Sequence, residues 1–135
     1  MTAPDSILLV EDDEDDVFLM RRALKAAGIT NVLRVVEDGQ EAVDYLSSAG
    51  NPSGAALNLP KVIFLDLKLP VIMGFEVLAW VKGQPLLQNV AVVVLTSSNE
   101  PSDLKEAYRL GATSYVVKPP TADQLLDLAK TFRWD

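Results

Sequence analysis

Ile7 to Val10 is an unbroken apolar run, and Val32 to Val36, Val62 to Leu65, Val90 to Leu95 and Tyr115 to Val117 resemble it, with the same bias toward branched side chains. Runs this short, apolar rather than alternating except for Arg34 in the second, predict parallel strands covered on both faces by helices. The segments between them carry helical signals. Asp16 to Ala27 is rich in helix formers and stops at Gly28, and Asp38 with Glu41 gives a capping-box start for a helix to about Ser48. Phe75 to Lys82 stops at Gly83, Pro101 to Leu110 stops at Gly111, and Thr121 with Gln124 is a second capping box opening the last helix.

The pattern is a strand followed by a helix, five times over. Right-handed crossovers then wind helices onto both faces, which predicts an α/β fold: a doubly wound five-stranded parallel sheet with five helices, in the flavodoxin-like order 2-1-3-4-5. Ser47 to Pro60, rich in Gly, Pro, Ser and Asn, is the one long irregular connection. With no internal repeat and no linker, residues 1–135 are expected to form a single domain, which the 49% hydrophobic content can supply with a core.

Histidine and cysteine are both absent. Imidazole triads, zinc sites, phosphohistidine chemistry within the chain, disulfides and thiol nucleophiles are therefore excluded. The net charge is -7, and six of the nineteen acids fall in the run Glu11 to Asp16, so the other thirteen nearly balance the twelve cations. An acidic chain without a basic stripe is not a nucleic-acid binder. The N-terminus MTAPDS lacks a signal-like apolar core and no run is long enough to span a bilayer, so a soluble cytoplasmic protein without membrane attachment is expected.

In open parallel sheets, ligands bind beyond the carboxyl ends of the strands, where strand order reverses. Glu11, Asp12 and Asp13 follow the first strand, Asp66 the third, Thr96 the fourth and Lys118 the fifth. Each has a plainer reading by itself: the acidic run as a solvated face, Asp66 as a helix cap, Thr96 as a turn residue, Lys118 as a surface lysine. Their convergence changes the picture. Neighbouring carboxylates in such a crevice repel by about 1 kcal/mol in water and severalfold more beside protein, so the cluster calls for a cation. With oxygen ligands alone a hard divalent ion fits, and Mg²⁺ suits a site that keeps several waters.

These residues are similar to those of the receiver domains of two-component response regulators, over nearly the whole chain. The resemblance rests on Glu11 and Asp12 in LLVEDD, Asp66 in VIFLDLKLP with Pro70 and Gly74 completing DxxxPxxxG, Thr96 in VVVLTSS, and Lys118 in YVVKPP. It implies a phosphoacceptor that assists its own modification rather than an enzyme. Asp66 would take a phosphoryl group from a phosphohistidine on a sensor histidine kinase. Mg²⁺ would be held by Asp12 and Asp66, by Glu11 through water and by the backbone carbonyl of Lys68. Thr96 and Lys118 would meet the phosphoryl oxygens, and Tyr115 would be the switch aromatic, reshaping the face made by the fourth helix, fifth strand and fifth helix. Tyr115 also reads as an ordinary strand aromatic. A cis Lys118-Pro119 bond is the family habit, and Lys68 and Ser98 stand where the family tunes phosphoryl lifetime. Val71, Ile72 and Met73 make an unusually apolar turn for the family.

The length, the Ser47 to Pro60 connection and the FRW ending resemble the small single-domain regulators that partner bacterial phytochromes. No output domain is expected, so the signal would pass to another protein. Asp16, Leu19, Met20, Ala23 and Ala27 can share a buried face of the first helix, leaving Val17 and Phe18 toward solvent. The resemblance makes Phe18 a kinase contact, though it could instead pack on a neighbouring helix. Leu125, Leu128, Ala129 and Phe132 form the inward stripe of the last helix, leaving Leu126 and Trp134 as candidates for a homodimer contact, with Trp134 also able to pack on its own domain. The competing reading is a pseudo-receiver that binds protein without phosphorylation. A flavin carrier is disfavoured by the acids after the first strand, and an aspartyl phosphatase by Lys68 in place of the second acid of a DxD motif.

Overall fold

The central strands form because both alternating sets of their side chains find cover. In the computed structural model, which describes residues 6–49, 59–68, 73–97 and 101–133, the sheet comprises β1 (Ile7–Val10), β2 (Leu33–Val36), β3 (Val62–Asp66), β4 (Ala91–Thr96) and β5 (Ser114–Val117). All pairs are parallel and the order is β2-β1-β3-β4-β5, as expected. The helices are α1 (Glu14–Ala26), α2 (Gly39–Ala49), α3 (Gly74–Lys82), α4 (Pro101–Arg109) and α5 (Ala122–Phe132).

Period-two alternation divides the core in two. Leu8, Val10, Ile63, Leu65, Val92 and Val94 pack with Ala42, Leu46, Val77, Leu78, Val81 and Ala107 of α2, α3 and α4. On the opposite face Ile7, Leu9, Phe64, Val93 and Val116 pack with Met20, Leu24, Leu125 and Ala129 of α1 and α5. Each fully buried side chain of this size contributes about 1.5–3 kcal/mol, which is why the apolar runs read so clearly as strands.

Helix α1 begins two residues before the expected Asp16. Asp13 caps it, its Oδ1 accepting from the amides of Asp15 at 2.8 Å and Asp16 at 3.3 Å, and Glu14, Asp15 and Asp16 fill the first turn. Carboxylates at a helix N-terminus are favoured by the macrodipole, so the acidic run starts the helix instead of preceding it. The buried face is also rotated from the expected one: Met20, Ala23 and Leu24 are buried, and Val17 packs half-buried on the core rather than facing solvent. The helix ends at Gly28, whose φ of 74° lets the Ile29 amide reach back to the Leu24 carbonyl at 3.0 Å.

The capping box of α5 is complete, with Thr121 and Gln124 exchanging bonds of 3.0 and 3.1 Å. That of α2 is half as expected. Asp38 accepts from the Glu41 amide at 2.8 Å, but the Glu41 carboxylate returns to the amide of Glu37, one residue before the cap. Helix α2 covers the start of the expected Ser47 to Pro60 connection, whose residues 50–58 lie outside the described residues.

Candidate functional site

Parallel register brings the acids together. Val10 pairs with Leu65, so Glu11 and Asp66, the next residues on adjacent strands, stand side by side at the carboxyl edge of the sheet. One ligand atom from each of Glu11, Asp12 and Asp66 lies within 4.8 Å of the others; Glu11 and Asp66 are buried and Asp12 is exposed. Lys118 arrives from β5 after its amide bonds the Thr96 carbonyl at 2.8 Å. Its Nζ lies 2.7 Å from Glu11 Oε1, 2.8 Å from Asp16 Oδ2 and 3.1 Å from Asp66 Oδ2.

Three carboxylates thus contact one ammonium, and a fourth, Asp12, lies in the same cluster. Like charges about 4 Å apart repel by roughly 4 kcal/mol at an effective dielectric constant near 20, so the deficit is large. Burial pushes the Glu11 carboxyl up, to about 7, with Lys118 opposing the rise and Asp66 adding to it. For Lys118, burial works to lower its pKa, but the contacts of Asp16 and Glu11 and the charge of Asp66 outweigh it and hold the ammonium above its ordinary value. Glu11 Oε1 is buried, and its approach to Nζ is an ion pair without hydrogen-bond geometry. A buried carboxylate oxygen whose one close partner is a cation shared with two other carboxylates, in a set of oxygen ligands, fits a hard divalent cation.

Asp66 is aimed by its own chain and by α3. The Lys68 amide donates to Asp66 Oδ1 at 3.0 Å, while the Lys68 side chain is exposed. Gly74 opens α3 against the end of β3, its amide bonding the Leu67 carbonyl at 3.1 Å. A Cβ at Gly74 would lie 2.3 Å from the Asp66 carbonyl oxygen and 2.5 Å from the Leu67 Cα. Only glycine permits that approach, which gives the last position of the DxxxPxxxG spacing a steric cause.

Thr96 is buried at the end of β4, level with Val117, one residue before Lys118. Lys118-Pro119 is cis. Tyr115 stands apart from the carboxylates: on the edge strand, 37% exposed, it meets Tyr108 of α4 edge to face at 6.1 Å. Phe18 is 61% exposed on α1, so it does not pack on a neighbouring helix. Leu126 is exposed on α5 and Met73 is exposed before α3. Trp134, Ser98, Pro70, Val71 and Ile72 lie outside the described residues.

The sequence pattern puts Asp16 on the buried stripe of α1 without pointing to its place at the site. A signal is nonetheless present: a carboxylate on a stripe with Leu19, Met20 and Ala23 needs a cation, and Lys118 is the one it meets.

The family described as response regulator receiver domain matches residues 7–130. This chain belongs to it. Receiver domains are phosphoacceptors of two-component signalling rather than ordinary enzymes, and they interact with sensor histidine kinases. The response regulator Rcp1 of Synechocystis sp. is 35% identical over 127 residues, 94% of this chain and 85% of that protein. Its Mn²⁺-bound crystal structure superposes with a TM-score of 0.76 at 32% identity, covering 98% of this chain and 96% of that one. The bacteriophytochrome response regulator AtBRR gives a TM-score of 0.83 at 39% identity, over 100% of this chain and 96% of that one. The phosphorylated cyanobacterial phytochrome response regulator RcpA gives 0.77 at 35%, over 98% and 94%. The acidic cluster of this receiver is a candidate site for a divalent metal. Among the described residues no helix is long and apolar enough to cross a membrane.

Proposed function

We propose that Asp66 of this receiver accepts a phosphoryl group from a phosphohistidine on a sensor histidine kinase. The contact of Lys118 Nζ with Asp66 Oδ2 at 3.1 Å carries this reading, because it puts a half-buried cation beside the attacking oxygen. Asp66 Oδ would form a bond to phosphorus as the donor's P–N bond breaks, the electron pair leaving with the imidazole nitrogen. Such transfer needs an in-line nucleophile and neutralised oxygens more than a base, which suits a site without histidine.

Glu11, Asp12, Asp66 and the carbonyl of Lys68 are the residues proposed to hold Mg²⁺, which when bound would neutralise phosphoryl charge. Lys118 takes an oxygen from the other side, and the Thr96 hydroxyl donates to a third position. Burial of Glu11 and Asp66 fixes their geometry before the donor arrives.

Inward movement of the Thr96 loop would make room for Tyr115, which now leans outward on Tyr108. The partner-facing surface would then be α4, β5 and α5, where Tyr108, Val117 and Leu126 are exposed apolar residues. Leu126, with Trp134 beyond the described residues, is proposed as the homodimer contact, and Phe18 as a contact for the kinase. The likeness to AtBRR and RcpA supports a phytochrome as that kinase.

Intact mass after incubation with acetyl phosphate tests the proposal. One phosphoryl group is expected on the wild type with Mg²⁺, none without it, and none on Asp66→Asn. A gain by Asp66→Asn would remove Asp66 from the role. No gain by a folded, Mg²⁺-bound wild type, even from its kinase, would leave a receiver that signals by binding alone.

A further inference from the structure

Three carboxylates surround the Lys118 ammonium, and they are not equivalent. Glu11 and Asp66 also belong to the group with Asp12 that would take the divalent ion. Asp16 lies outside that group, yet its Oδ2 holds Nζ at 2.8 Å in a hydrogen bond. It therefore remains committed to the lysine when a metal draws on the other two.

The surroundings strengthen this pair. Lys118 and Asp16 side chains are 13% and 28% exposed, and Leu19, Met20, Leu95, Pro119 and Pro120 wall the recess around them. Screening by water is reduced there, and a charge-assisted bond gains accordingly. Asp16 is itself fixed, because its amide is tied to the Asp13 cap in the first turn of α1. A lysine is a flexible four-carbon stem ending in a rotatable point charge, so holding its tip costs entropy that a fixed partner offsets in advance.

We infer that Asp16 is a positioning residue that anchors the Lys118 ammonium beside Asp66 before the phosphoryl donor binds. The inference rests on the proposed role of Asp66 as acceptor, since positioning matters only if a group is delivered there. The acidic run then splits by role, with Glu11 and Asp12 turned toward metal, Asp13 capping the helix and Asp16 turned toward the lysine.

Two readouts separate the anchor from the chemistry. In metal-free, unphosphorylated protein labelled with ¹⁵N-lysine, the Lys118 ammonium protons should exchange with water about tenfold faster in Asp16→Asn than in wild type. With acetyl phosphate and Mg²⁺, Asp16→Asn should be labelled about fivefold more slowly, and should slow the Lys118→Met variant no further, as two residues acting through one contact are not additive. The inference is overturned if exchange and labelling both stay within about twofold of wild type, or if Asp16→Asn slows Lys118→Met by the same factor. A folded wild type that takes no label from acetyl phosphate or from its kinase would refute the role of Asp66, and the exchange rates alone would then decide whether Asp16 anchors the lysine.

Discussion

Strands β3 and β5 both carry residues of the proposed mechanism, but they hold them in opposite ways. Every residue of β3 from Val62 to Asp66 is buried, with β1 on one side and β4 on the other. In β5 only Val116 is buried, the strand pairs with β4 alone, and Tyr115 and Val117 open to solvent. A central strand fixes its terminal side chain through packing on both faces and hydrogen bonds on both edges. An edge strand leaves its outward side chains free to rearrange without breaking the sheet. The proposed nucleophile sits where movement is costly, and the proposed switch where it is cheap.

The sharpest way to break that contrast is to disturb the end of β3. Gly74→Ala would place a methyl group on backbone atoms of Asp66 and Leu67 that cannot turn aside. Destabilisation of about 1–3 kcal/mol is expected from overpacking, measurable by urea denaturation. Displacement of Asp66 should also slow acetyl phosphate labelling by about tenfold or more. Labelling at the wild-type rate would show that the close approach of α3 does not aim the carboxylate.

At the edge the same kind of insult should be mild. Tyr115→Ala removes one edge-to-face contact with Tyr108, itself 47% exposed, and should cost about 0.5–1.5 kcal/mol. Labelling should suffer less than in Gly74→Ala. A loss of stability as large as that of a core deletion would mean that β5 is as rigid as β3.

The smallest effect concerns charge at the central site. The Glu11 carboxyl is raised from 4.5 to about 7 by burial. Between those values the native state binds more protons than the unfolded chain, so stability of the metal-free protein falls as pH rises through that window. The expected drop in Tm from pH 5 to 7.5 is on the order of a few degrees, reduced in Glu11→Gln. Divalent metal should reverse it by favouring the ionised form. A slope in Glu11→Gln equal to that of wild type would place its source elsewhere.

Much of this was legible in the sequence because the signals were local or periodic. Short apolar runs, interrupted only by Arg34 in the second, identified all five strands to within a residue or so at each end, and Thr121 with Gln124 marked the start of α5. The motif spacing selected Glu11, Asp12, Asp66 and Lys118, and their convergence followed from parallel strands ending at one edge. The family was readable for the same reason.

What the sequence did not determine depended on which side chains meet across the fold. A six-acid run has one composition, yet Glu11 and Asp12 join the candidate metal cluster, Asp13 caps the helix, Glu14 and Asp15 fill its first turn and Asp16 meets Lys118. That division depends on where the Asp13 cap starts the helix and which way the first turn faces. The need for glycine at position 74 lies in a clash with residues seven and eight positions earlier, which exists only once α3 folds back on β3. Hydrophobic periodicity is a property of a segment and survives in the sequence. Ion pairs between residues 102 apart, such as Asp16 with Lys118, are properties of the packed molecule, and only the tertiary structure decided them.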